Sequence, residues 1–83
     1  MTPPIARILL IEDDAAAAGS LREVFTAEGY AVVWADRGDQ GLARAREAVF
    51  DLVLTDLRLP GLSGLDLVRE LHAAQPRLPL ILM

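Results

Sequence analysis

Four short apolar runs, separated by three stretches of helical periodicity, restrict this chain to very few folds. The runs are Arg7-Ile-Leu-Leu-Ile11, Tyr30-Ala-Val-Val-Trp34, Asp51-Leu-Val-Leu-Thr55 and Leu80-Ile-Leu-Met83. They do not alternate apolar with polar residues, so they read as strands buried on both faces. Each intervening stretch carries a single apolar stripe. In Ala15 to Glu28 the stripe is Ala15, Ala18, Leu21, Val24 and Phe25. In Asp39 to Val49 it is Leu42, Ala45 and Val49, and in Ser63 to Ala74 it is Leu67, Val68 and Leu71. Strands alternating with single helices, in the order βαβαβαβ, imply an α/β fold with a parallel sheet covered on both faces.

The punctuation agrees with these boundaries. Asp14 can cap the first helix, and Gly29 stands where a helix commonly ends. Ser63 and Asp66 have the spacing of a capping box, with Asp a shorter partner than Glu. Pro76 and Pro79 stop the third helix. At 83 residues the chain suits one small domain or a piece of one. Right-handed crossovers around four strands leave one sheet face short of a helix. The expectation is therefore an incomplete domain over residues 5–83, preceded by a loose end at residues 1–4.

Composition removes several functions. A net charge of −4 argues against a nucleic-acid surface in this segment. The chain has no cysteine, which excludes disulfides and thiolate metal sites. All eight basic residues are arginines, so chemistry that needs a lysine must take it from elsewhere. No apolar run reaches membrane-spanning length, and MTPPIAR does not read as the start of a signal peptide. The expectation is a soluble cytoplasmic protein with no membrane partner.

The acids then stand out by position. Glu12, Asp13 and Asp14 follow the first strand, and Asp56 follows the third. Ligands of open α/β sheets bind at the carboxyl ends of strands, where the winding reverses. If the first strand pairs with both the second and the third, Glu12, Asp13 and Asp56 converge there. Clustered carboxylates repel one another unless a cation joins them, and an all-oxygen donor set suits Mg²⁺. A carboxylate beside Mg²⁺ can also act as a nucleophile and form an acyl phosphate. The other acids have plainer roles: Asp14 as a cap, Asp36 and Asp39 as turn and cap residues, and Glu23 and Asp66 on solvated helix faces.

ILLIEDD at the end of the first strand, VLTDLRLPGLSGLDLV around the third and PLILM in the fourth together resemble the receiver domain of two-component response regulators. The resemblance implies a flavodoxin-like, doubly wound sheet of strand order 2-1-3-4, with strand 5 and the last helices lying outside this chain. It implies that Asp56 accepts a phosphoryl group from a sensor histidine kinase. It implies Mg²⁺ held by Asp13 and Asp56, by the backbone carbonyl of Arg58, and by Glu12 through a water. Pro60 and Gly61 would shape the loop after the acceptor, Gly64 would help start the next helix, and Thr55 would pack on the opposite side. Leu57 and Arg58 flank the site, where they could affect phosphoryl lifetime. The Ser or Thr after strand 4 and the Lys ending strand 5 that such domains carry are expected beyond Met83, as is any output domain.

Two other readings compete. A haloacid dehalogenase-type phosphatase also uses Mg²⁺ and an Asp nucleophile, but places it after the first strand as Asp-x-Asp, where this chain has Glu12-Asp13-Asp14-Ala15. A pseudo-receiver would serve only as an interaction module. In either signalling reading the module is not an enzyme, beyond helping its own phosphorylation and dephosphorylation. The strand Leu80 to Met83 is expected to be an apolar edge open to pairing with a second copy, a swapped segment or further chain.

Overall fold

The computed structural model describes residues 3–83; Met1 and Thr2, half of the expected loose end, lie outside them. The elements are β1 (Arg7–Ile11), α1 (Ala15–Ala27), β2 (Ala31–Ala35), α2 (Gly38–Glu47), β3 (Leu52–Thr55), α3 (Gly64–Ala74) and β4 (Leu80–Leu82). The sheet has the order β2-β1-β3-β4, and every pair is parallel. Both the element order and the strand order match the sequence-based expectation.

The strands are apolar throughout because both faces of the sheet are packed. On one face Leu9, Ile11 and Val53 meet Ala45, Phe50, Leu67 and Leu71, brought by α2, α3 and the α2–β3 connection. On the other face Ile8, Leu10 and Leu54 meet Ala18 of α1, with Leu21, Phe25 and Trp34 at its margin. Leu9, Leu10 and Ile11 are fully buried. Each such side chain contributes roughly 1.5–3 kcal/mol relative to an exposed position. The two faces are covered unequally. Ile81 pairs in register with Leu54 on the α1 side, yet is 49% exposed, because no helix of the described residues reaches over β4 there.

Helix ends account for most departures from the expected boundaries. Asp14 caps α1 as expected: its Oδ1 accepts from Ala16 N–H at 2.9 Å and Ala17 N–H at 3.3 Å. Gly29 lies just beyond the helix with φ 96°. Val24, expected on the buried stripe, is exposed, because the contact follows Ala18, Leu21 and Phe25 and leaves Val24 on the rim. α2 starts earlier than expected, so Asp39 is not its cap but lies in its first turn. Asp39 Oδ1 instead accepts from Arg37 Nε–H at 3.1 Å and Gln40 N–H at 3.0 Å. α2 also ends earlier: Ala48 is extended (φ −144°, ψ 164°), which takes Val49 out of the helical stripe. Val49 is exposed, and Phe50 fills the core position in its place. At α3 the Ser63 hydroxyl oxygen accepts from Asp66 N–H at 3.2 Å. The box is not closed on the backbone, since Asp66 Oδ2 accepts from the Ser63 hydroxyl at 3.0 Å.

Candidate functional site

The site begins where β1 and β3 end side by side. Ile11 and Thr55 are register partners, so the next residues, Glu12 and Asp56, leave the sheet at one level. Asp56 N–H donates to the Ile11 carbonyl at 2.9 Å, while Glu12 N–H turns toward β2 and donates to Ala35 O at 3.0 Å. The chain runs from β1 to β2 through α1 on one face and from β2 to β3 through α2 on the other. The gap between β1 and β3 is therefore the switch point at which such sheets open a crevice.

Glu12, Asp13 and Asp56 each aim a carboxylate oxygen into this crevice, and the three oxygens lie within 4.8 Å of one another. Their surroundings differ. Glu12 is buried, Asp56 half-buried and Asp13 exposed. Glu12 Oε1 accepts from Asp14 N–H at 3.1 Å, and Asp56 Oδ1 accepts from Leu57 N–H at 2.7 Å. Burial pushes the Glu12 carboxyl above its ordinary range, and the nearby charges of Asp56 and Asp13 push the same way, against the opposing Asp14 N–H. A group of hard oxygen donors under mutual repulsion is the donor chemistry a divalent cation such as Mg²⁺ fits.

The loop after β3 is fastened at several points. Gly64 N–H donates to Leu57 O at 2.9 Å. A Cβ at Gly64 would run into the Asp56 carbonyl oxygen, so only glycine lets α3 start this close to Asp56. The Pro60 carbonyl accepts from Gly38 N–H at 2.9 Å and Leu62 N–H at 3.0 Å, which docks the loop on the start of α2. Gly61, with φ 85°, makes the turn that Pro60 begins. Arg58 is exposed on this loop, two residues past Asp56, and Leu57 is also exposed.

Thr55 is fully buried, in keeping with a packing role, and its hydroxyl also donates to Asp56 O at 3.1 Å. Sequence reasoning missed Trp34. Its indole Nε1–H donates to the Glu12 carbonyl at 2.8 Å, across 22 positions of sequence. The available signal was a tryptophan, with one donor to satisfy, at the carboxyl end of a strand beside the crevice. A surface hollow elsewhere, lined by Gly19, Arg22, Glu23, Thr26 and Ala27, is formed by α1 alone and includes none of the clustered acids.

The comparisons agree with this geometry. The model of the response regulator receiver domain family matches residues 8–83. The cell cycle transcriptional regulator CtrA of Caulobacter vibrioides is 38% identical over 77 residues, 93% of this chain and 33% of that protein. Among solved structures, the receiver domain of the sensor histidine kinase PA1611 from Pseudomonas aeruginosa has a magnesium ion coordinated in its active-site cleft. It superposes with a TM-score of 0.88 at 32% identity, over 93% of this chain and 65% of that one. The response regulator TrrA from Thermotoga maritima, solved in complex with Mg²⁺-BeF, gives a TM-score of 0.90 at 31% identity, over 94% of this chain and 68% of that one. The chain thus spans about a third of the length of CtrA. With the doubly wound sheet, the three acids at its switch point and a family match along nearly its whole length, this chain belongs to the response regulator receiver domain family.

Proposed function

We propose that Asp56 is the phosphoacceptor and that Asp13, Asp56 and the Arg58 backbone carbonyl hold Mg²⁺ directly, with Glu12 acting through a water. The observation that carries this reading is the approach of the three carboxylates to within 4.8 Å at the switch point. The magnesium-bound cleft of the PA1611 receiver domain supports it. The donor is the phosphohistidine of a sensor histidine kinase, and the compartment is the cytoplasm, where ATP-dependent kinases work.

An Asp56 carboxylate oxygen attacks phosphorus, the phosphorus–nitrogen bond breaks, and the imidazole leaves and takes up a proton. The product is an acyl phosphate on Asp56. Mg²⁺ when bound neutralises charge on the phosphoryl oxygens. The residues of the chain do the rest. The Leu57 N–H and the tight start of α3 at Gly64 orient Asp56. Asp13 and Glu12 set the negative field that attracts the cation. The domain is a regulatory acceptor rather than an enzyme acting on a separate substrate.

Acetyl phosphate with Mg²⁺ tests the reading on the full-length protein, followed by intact mass. One phosphoryl adduct is expected; it disappears in Asp56→Asn and when EDTA replaces Mg²⁺. Steady turnover of a small phosphate ester without an adduct would move the assignment to a phosphatase. No Mg²⁺-dependent adduct would leave only an interaction module.

A further inference from the structure

Trp34 has a place in the site that no motif of the chain announces. Glu12 is joined to β2 from both of its peptide groups: its N–H donates to Ala35 O at 3.0 Å, and its carbonyl accepts from Trp34 Nε1–H at 2.8 Å. That carbonyl belongs to the peptide unit linking Glu12 to Asp13. Because a peptide unit is planar, fixing its oxygen also fixes the Asp13 N–H and restricts the dihedrals that aim both carboxylates. The indole itself is held. Trp34 pairs in register with Leu10 and packs against the cluster of Ile8, Leu10, Ala18 and Leu54 on the α1 side of the sheet.

We propose that Trp34 is a positioning residue for the acid turn: its indole N–H locks the Glu12–Asp13 peptide so that the two carboxylates stay preorganised around a divalent cation. Without this tie the turn would be fastened at the Glu12 N–H, at the Asp14 N–H bond to Glu12 Oε1 and at the Asp14 cap of α1, but nothing would hold the Glu12–Asp13 peptide oxygen itself. The like charges of Glu12, Asp13 and Asp56 would then be free to relax apart when no cation is bound. The lock keeps them together and so strengthens cation binding. The inference rests on the metal site proposed above.

The test uses Trp34→Phe, which keeps an aromatic ring and removes the donor. Its comparator is Val33→Ala, on the same strand but packed on the opposite face, away from the Glu12 carbonyl. Mg²⁺ affinity is measured by titration calorimetry on the full-length protein, and the melting midpoint in EDTA. Loss of one hydrogen bond should weaken Mg²⁺ binding by about three- to tenfold in Trp34→Phe. Val33→Ala should lower the midpoint while leaving Mg²⁺ affinity within about twofold, because remote sites act independently. Equal affinity in Trp34→Phe and wild type, or an equal loss in Val33→Ala, overturns the proposal.

A measurement on the wild type needs no variant. The Trp34 indole N–H should exchange slowly with solvent in the metal-free protein, and more slowly still with Mg²⁺ bound. Exchange at the rate of an exposed indole in both states overturns the lock. If wild type binds no Mg²⁺ although its indole is protected, the metal site fails rather than the hydrogen bond.

Discussion

Among the described residues Glu12 is the one buried acid, and it faces two more. Burial, then the charges of Asp56 and Asp13, hold its carboxyl above the ordinary value of 4.5, so the folded chain binds a proton there more readily than the unfolded one. The stability from protonated Glu12 is complete below that ordinary value and is lost as pH rises through the raised one. Metal-free Glu12→Gln should therefore gain on wild type in melting midpoint as pH rises from acid to neutral, and the gap should close with Mg²⁺. A gap independent of pH would count against this account. Asp13→Asn should weaken Mg²⁺ binding by about tenfold or more, since even groups behind the ligands commonly contribute that much; calorimetric titration checks it. The three acids were legible in sequence because each follows an apolar run closely, and a parallel order brings those ends together. Trp34 was not, because its partner lies 22 positions away and is a backbone carbonyl, which no residue letter encodes.

At the scale of elements, the close approach of α3 to β3 makes the strongest demand on sequence. Gly64→Ala should destabilise the domain by about 1–3 kcal/mol, because the added methyl would displace either Asp56 or the start of the helix. Gly19→Ala is the matched control. Nothing lies within 4 Å of the added Cβ there, and replacing a mid-helix glycine should stabilise by about 0.4–1 kcal/mol. Denaturant unfolding of both variants checks the opposite signs. Asp14→Ala should remove about 1 kcal/mol through the lost cap bonds to Ala16 and Ala17. These elements could be read from periodicity and caps, whereas the strand order came from the family resemblance, because periodicity does not say which strands are neighbours. Their ends could not be read as well. Val49 continues the stripe of α2 in sequence, but the chain turns extended at Ala48 and gives the core position to Phe50. Asp39 looks like a cap, yet Arg37 takes the cap position. Asp39, though exposed, then keeps its carboxyl below the usual value: slight desolvation acts against this, but the Arg37 guanidinium and the Gln40 N–H outweigh it.

Across the whole molecule, the site and the sheet make opposite demands. The core holds β1 and β3 in register, and that register forces three like charges together at its end. Mg²⁺ bound at the proposed site would resolve the conflict by mass action, adding about 2.7 kcal/mol of stability at a hundredfold excess over its Kd. The outer edge of β4 makes a different demand. Ile81, Leu82 and Met83 are each more than 40% exposed, and an apolar strand edge is a template for another strand. The 83-residue segment alone is expected to self-associate through this edge, and Ile81→Lys to reduce that association in sedimentation. The central claim is that phosphoryl transfer ends on Asp56, and borohydride reduction tests it most directly. Reducing the phosphorylated full-length protein should convert the acyl phosphate to homoserine, which peptide sequencing then locates. The account predicts homoserine at position 56 and nowhere else, only when Mg²⁺ was present during phosphorylation. Homoserine at position 13 or 51, or equal labelling without Mg²⁺, would contradict it.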